Sequence, residues 1–170
     1  MFKGRKLLIL ISVFILTSAI STSANAQDTF IKAGYSFFKE EDFKNLNSFI
    51  ISFAQEYQII KYMSLGYESQ ISYKRYSEQH HMLFNEYFII KGIVPLKQIS
   101  PFFGVGFGLQ QVVSFNGGSE GKIALGYQLA AGLTMRIKPN IKFLVEFQYK
   151  KPYGDMKHMN SLAILGGIIF

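Results

Sequence analysis

The chain has 170 residues, the size of one domain, and no cysteine, which excludes disulfide scaffolds, thiol catalysis and cysteine-ligated metal or iron–sulfur centres. Apolar residues make up 49%, with 17 phenylalanines, 10 tyrosines and no tryptophan, so disordered and collagen-like chains are excluded too. The net charge of +7 falls to +4 once the three basic residues of the first 26 positions are set aside, too mild to imply nucleic acid.

Those first positions read as a cleavable secretory signal. Lys3, Arg5 and Lys6 open it, Leu7 to Leu16 is apolar apart from Ser12, and Ala24-Asn25-Ala26 fits a small-x-small cleavage pattern. A transmembrane anchor is the competing reading, but Ser18, Ser21, Thr22 and Ser23 cut the run short of the ~20 residues a spanning helix needs. The mature domain is therefore 27–170, exported from the cytoplasm.

After Ala26 the pattern is alternation with period two, the strand signal. In 29–38, Ile31, Ala33, Tyr35 and Phe37 alternate with Lys32, Gly34 and Ser36. In 47–57, Phe49, Ile51, Phe53 and Tyr57 oppose Ser48, Ser52, Ala54 and Glu56. In 62–74, Met63, Leu65, Tyr67, Ser69, Ile71 and Tyr73 alternate with Ser64, Gly66, Glu68, Gln70, Ser72 and Lys74. The segment 81–94 carries a charge on each face, Glu86 on one and Lys91 on the other. Glu86 is expected inside, since Lys91 lies near an end where its long side chain can snorkel. In 101–115, Phe103, Val105, Phe107 and Leu109 alternate with Gly104, Gly106, Gly108 and Gln110. The segment 122–137 sets Ile123, Leu125, Tyr127, Leu129, Leu133 and Met135 against Ala124, Gly126, Gln128, Ala130, Gly132 and Arg136. In 141–150, Phe143, Val145, Phe147 and Tyr149 alternate with Lys142, Leu144, Glu146 and Gln148, and 161–170 is apolar on both faces. These eight strands have alternating connections: short turns at 58–61, 95–100 and 138–140, and polar stretches at 39–46, 75–80, 116–121 and 151–160.

Eight antiparallel strands close naturally into an up-and-down barrel without exposed edges. A lipocalin-like barrel would put the apolar face inside around a ligand; a transmembrane β-barrel puts it toward lipid. The polar face here is built largely of Gly, Ser and Ala, which suits an interior barely wide enough for side chains. A soluble exterior would carry charge throughout, yet only 17% of residues are charged. The expectation is an all-β, eight-stranded antiparallel membrane barrel with both termini and the short turns at the periplasmic end.

Particular residues strengthen that expectation. Pro101-Phe-Phe-Gly-Val-Gly-Phe-Gly resembles the Pro-Tyr-Val-Gly-x-Gly-x-Gly strand of the small outer-membrane β-barrel family that includes opacity-type and OmpX/OmpA-like porin-family barrels. Gly126-Tyr-Gln-Leu-Ala-Ala-Gly-Leu, Lys138-Pro-Asn and Glu146-Phe-Gln-Tyr resemble its next hairpin. The end of the chain, with Leu162, Ile164, Gly166, Ile168 and terminal Phe170 at alternate positions, is similar to the signal read by the barrel-assembly machinery, although Ile168 stands where an aromatic is usual. The resemblance is specific over 101–170 and a matter of pattern before that. It implies an integral outer-membrane protein of Gram-negative cells with a structural or surface-interaction role and outer-membrane lipid around it. A monomer with no cofactor and no open pore is expected, and the short outer loops carry no motif that identifies an extracellular partner.

Several clusters invite sharper readings. Gly104-Val-Gly106-Phe-Gly108 suggests a nucleotide loop, but a phosphate cradle needs a helix start after the glycines, and these sit inside a strand. The inward charges Lys32, Glu56, Glu68, Lys74, Glu86, Arg136, Lys142, Glu146 and Lys150 include paired carboxylates that could do acid/base chemistry. A structural network plugging the lumen is the stronger reading, because charges in a sealed barrel must pair. Arg136 is expected to pair with Glu56 or Glu146. Glu78, His80, His81 and His158 could offer surface metal ligands, but adjacent histidines on a strand point to opposite faces, and solvated loop residues are expected. The enzymatic rival is lipid A deacylation on a similar small barrel, whose last strand Met159-Asn-Ser-Leu through Phe170 resembles. That family's His-x-Ser-Asn motif is replaced by Lys150-Lys151-Pro152-Tyr153, with no base beside a hydroxyl, so no catalytic site is expected.

Overall fold

A computed structural model of the chain describes residues 28–38, 47–76, 79–115, 119–138 and 141–170. Residues 1–26, which read as a secretory signal, the connection 39–46, Glu78, and Pro139 with Asn140 lie outside the described residues. So does the side chain of Lys74.

Eight strands form the wall: β1 (Asp28–Phe38), β2 (Ser48–Ile60), β3 (Met63–Tyr76), β4 (Gln79–Ile93), β5 (Ile99–Phe115), β6 (Ser119–Lys138), β7 (Ile141–Pro152) and β8 (Ser161–Ile169). Each pairs antiparallel with its neighbours in sequence, and β1 pairs with β8 from Phe30↔Ile169 to Phe38↔Ser161, which closes the barrel. Closure satisfies the edge groups that an open sheet would leave unpaired.

The alternation of the sequence becomes an inside and an outside. Ile31, Phe49, Phe107 and Phe147 project outward and are 52%, 56%, 64% and 56% exposed, whereas Lys32, Glu68 and Glu146 are fully buried within. An apolar exterior around a charged interior is the reverse of a water-soluble barrel.

The β4 face differs from expectation. Leu83, Asn85, Tyr87, Ile89 and Lys91 are buried, while Phe88 and Ile90 are 67% and 54% exposed, so Lys91 is inside and Glu86 belongs to the outward series, half-buried. The reason is steric. In the β4–β5 register Tyr87, Ile89 and Lys91 stand opposite Gly108, Gly106 and Gly104. A Cβ at Gly104 would lie 2.9 Å from Lys91 Cγ, and one at Gly106 would lie 3.0 Å from Ile89 Cγ1. Three glycines on one strand leave room for three large side chains on the next.

The interior is layered. Near the end that carries the termini and short turns, Phe30, Ala54, Phe102, Leu144 and Ile169 form an apolar floor. Toward the other end Phe38, Leu83, Ala124, Met156 and Met159 form an apolar lid. The lid draws on the last connection: after Gly154 (φ +64°), which takes the left-handed backbone glycine tolerates, a short 3₁₀ turn (Gly154–Met156) folds Met156 back over the mouth. That stretch was expected to be a solvated loop. Its polar members Lys157 and His158 are exposed, but its methionines are not.

The wall is uneven in height. β6 has 20 residues and β8 nine, about 66 Å against about 30 Å of strand. The ladder with β7 begins only at Gly126↔Pro152, so residues 119–125 of β6 pair with β5 alone, apart from a bond from Tyr153 N to the Leu125 carbonyl.

Candidate functional site

Between lid and floor lies a charged network. Lys32 on β1 bridges Glu68 on β3 and Glu146 on β7, its Nζ lying 3.1 Å from Glu146 Oε2. Glu68 accepts further bonds from Ser52 Oγ (2.5 Å), Gln70 Nε2 (2.8 Å), Gln128 Nε2 (3.0 Å) and Gln148 Nε2 (3.1 Å), so five strands converge on one carboxylate. Gln148 also donates to Glu146 Oε1 at 2.6 Å. One layer nearer the floor, Lys91 pairs with Glu56, which accepts from Ser64 Oγ at 3.0 Å, and Lys91 Nζ lies 3.8 Å from Glu146. Lys150 donates to Gln70, and Gln110 to the Tyr87 hydroxyl.

Three enclosed lysines thus share the interior with three enclosed glutamates, Lys32 and Lys91 in direct ion pairs and Lys150 through Gln70, an equal number of charges that burial would otherwise make expensive. Glycines give this network its space. Cβ atoms at Gly66 and Gly167 would fall 2.6 Å from Glu56 Cγ and 2.8 Å from Lys32 Cγ.

Of the residues expected in the lumen, Lys32, Glu56, Glu68, Glu146 and Lys150 lie in it. Lys142 sits at the turn-end mouth, half-buried, with both Asp28 oxygens at 2.9 Å. Glu86 and Arg136 do not belong to the network. Arg136 is exposed because β6 runs past the last inward layer; a register shift separates Arg136 from Lys138, and the Arg136 N–H donates to the Gln98 carbonyl. Its expected partners are taken by the lysines, Glu56 by Lys91 and Glu146 by Lys32. Lys91 was not expected inside. The glycine stripe of β5 was the signal that could have placed it.

At the turn end the floor opens into a cavity of about 160 Å³ reached by Lys61, Lys97, Arg136 and Lys142. At the loop end the histidines separate as strand geometry requires. His80 Nδ1 meets the Tyr73 hydroxyl at 2.5 Å, and His81 Nδ1 lies 2.8 Å from Ser114 Oγ. His158 is exposed. Gly104, Gly106 and Gly108 stand in mid-strand, with no helix start beyond them. In the stretch that replaces the deacylase motif, Lys150 and Pro152 are buried, and Tyr153 is exposed with its ring 5.9 Å from that of Tyr127. Leu162, Ile164, Gly166, Ile168 and Phe170 all lie on the outward face.

An all-antiparallel closed barrel with a charged core and an aromatic exterior is a transmembrane β-barrel of the smallest common size. Solved structures of this kind resemble it over 84% of its length. Neisserial surface protein A is 12% identical with a TM-score of 0.73, covering 84% of this chain and 94% of its own. Ail, the attachment invasion locus protein of Yersinia pestis, is 16% identical with a TM-score of 0.61, covering 84% and 98%. The outer membrane enzyme PagL is 10% identical with a TM-score of 0.52, covering 84% and 98%. These likenesses show a shared fold, that of small outer-membrane barrels. No protein-family model and no curated protein sequence matches the chain.

Proposed function

We propose that this chain is exported and inserted as a monomer into the outer membrane, where it is a closed barrel whose role is structural or lies in contacts made by its loop end. In this reading the barrel-assembly machinery reads the outward apolar face of β8, and the termini and short turns face the periplasm. The observation that carries it is the balanced lysine–glutamate network sealed between two apolar layers: a wall so built is stable only with lipid outside, and it leaves no aqueous path through the centre. Fractionation with a heat-modifiability gel tests it. The unboiled protein should sediment with the outer membrane and migrate faster than the boiled protein. Equal migration from a soluble periplasmic fraction would overturn the reading.

One observation favours an enzymatic second reading, the bond between His81 and Ser114, since a hydroxyl beside an imidazole is the start of a nucleophile. If the pair hydrolyses lipid esters, expression should change the mass of lipid A, and Ser114→Ala should abolish the change while the heat-modified shift persists. In the non-enzymatic reading, replacing His80, His81 and His158 together with alanine leaves both lipid A and folding as they were.

A further inference from the structure

The turn-end cavity holds more positive charge than its acids can neutralise. Asp28 is already engaged by Lys142 at 2.9 Å, and Glu56 by Lys91. Lys61, Lys97 and Arg136 line the same cavity, and among the described residues none of them has a carboxylate within ion-pair distance. Lys61 rests over the Tyr62 ring, its Nζ 5.4 Å from the centroid. The three arrive from different places: Lys61 from the β2–β3 turn, Lys97 from the β4–β5 connection and Arg136 from the end of β6.

Their carriers are tied together by backbone bonds, Ile93 N to the Tyr62 carbonyl (2.8 Å) and Arg136 N to the Gln98 carbonyl (2.9 Å). The cations therefore stand on a braced rim above the apolar floor, in a cavity whose two carboxylates, Asp28 and Glu56, are already paired. A cavity of 160 Å³ has the volume of about five waters, room for one phosphate group and part of its hydration shell. A phosphate offers acceptor oxygens on several sides at once, and a guanidinium can take two of them together.

We infer that this mouth is a phosphate-binding vestibule, with Lys61, Lys97 and Arg136 as its ligands. The same chemistry is offered by free phosphate and by the headgroup of an anionic phospholipid in the adjoining leaflet. The headgroup source rests on the membrane orientation proposed above; the phosphate chemistry does not.

The test uses the full barrel folded in octyl glucoside. Calorimetric titration with sodium phosphate against sodium chloride at equal ionic strength measures the free anion. Native mass spectrometry after exchange into phosphatidylglycerol or phosphatidylcholine measures the headgroup. Saturable phosphate binding that weakens about tenfold for each of Lys61→Gln, Lys97→Gln and Arg136→Gln supports the site with a soluble ligand. Retention of phosphatidylglycerol over phosphatidylcholine, lost in the triple variant, supports it with the lipid as source. Lys138→Gln, an exposed cation at the same end that does not line the cavity, should change neither. Binding of neither probe, or an equal loss with Lys138→Gln, overturns the site. All four positions are exposed, and an unchanged heat-modified shift verifies that each variant is folded.

Discussion

Lys32 holds two carboxylates at once, Glu68 and Glu146, and so ties β1 to β3 and β7 across the interior. Replacing it with methionine keeps the alkyl volume and removes the charge, leaving a surplus of negative charge in a sealed interior. Lys32→Met should destabilise the barrel by about 3–5 kcal/mol in urea-driven unfolding from lipid vesicles. Adding Glu68→Gln should recover part of that loss; strictly additive losses would show that the two are not coupled. Space matters as much as charge. A Cβ at Gly66 would lie 2.6 Å from Glu56 Cγ and 2.9 Å from the Gln55 carbonyl, so Gly66→Val should cost about 1–3 kcal/mol in the same assay, and a variant as stable as the parent would refute the crowding. Lys32, Glu68 and Glu146 were legible in the sequence because each sits in a clean alternation. Lys91 and Arg136 were not. The β4 segment mixes apolar residues with one charge on each face, so its inward side is decided by what stands across on β5, and a residue at the end of a strand can alternate correctly yet lie beyond the last layer.

For whole strands the outward face is set by lipid. Phe143, Val145 and Phe147 of β7 are all exposed on that face. Val145→Arg should cost about 2–4 kcal/mol in a refolding titration if it lies near the bilayer midplane. An unchanged midpoint would mean that this residue meets no hydrocarbon. Six strands stood out by clean period-two patterning, which reports one buried and one lipid-facing side regardless of partners, whereas β4, with a charge on each face, and β8, apolar on both, alternate less cleanly. The lid was not recognisable. Met156 and Met159 stand among Lys157, His158 and Asn160, and nothing local distinguishes a methionine that turns back into the barrel from one left in solvent. What recruits them is the apolar surface of Phe38 and Leu83 at the mouth, a tertiary contact. Replacing both methionines with serine should loosen the mouth and lower stability. With the lysine–glutamate layer intact beneath, planar-bilayer recordings should still show no steady current; a stable conductance would place the seal in the lid instead.

Taken whole, the molecule is a single hydrogen-bonded cylinder whose two sides differ in height. A strand of about ten residues crosses the membrane, and β8 is near that length, whereas β6 has twice as many residues. Residues 119–125 therefore rise above the top of the β7 ladder, holding to β5 on one side. Amides along a strand point alternately to its two neighbours, so every second N–H in this stretch faces away from β5. These amides should trade hydrogen for deuterium quickly, their partners facing β5 more slowly, and the stretch 126–135, laddered on both sides, slowest of all. Within one continuous strand the exchange rate should then step near Gly126. The height of that step would read out, residue by residue, where the cylinder ceases to be closed and becomes a two-stranded blade standing free of the membrane.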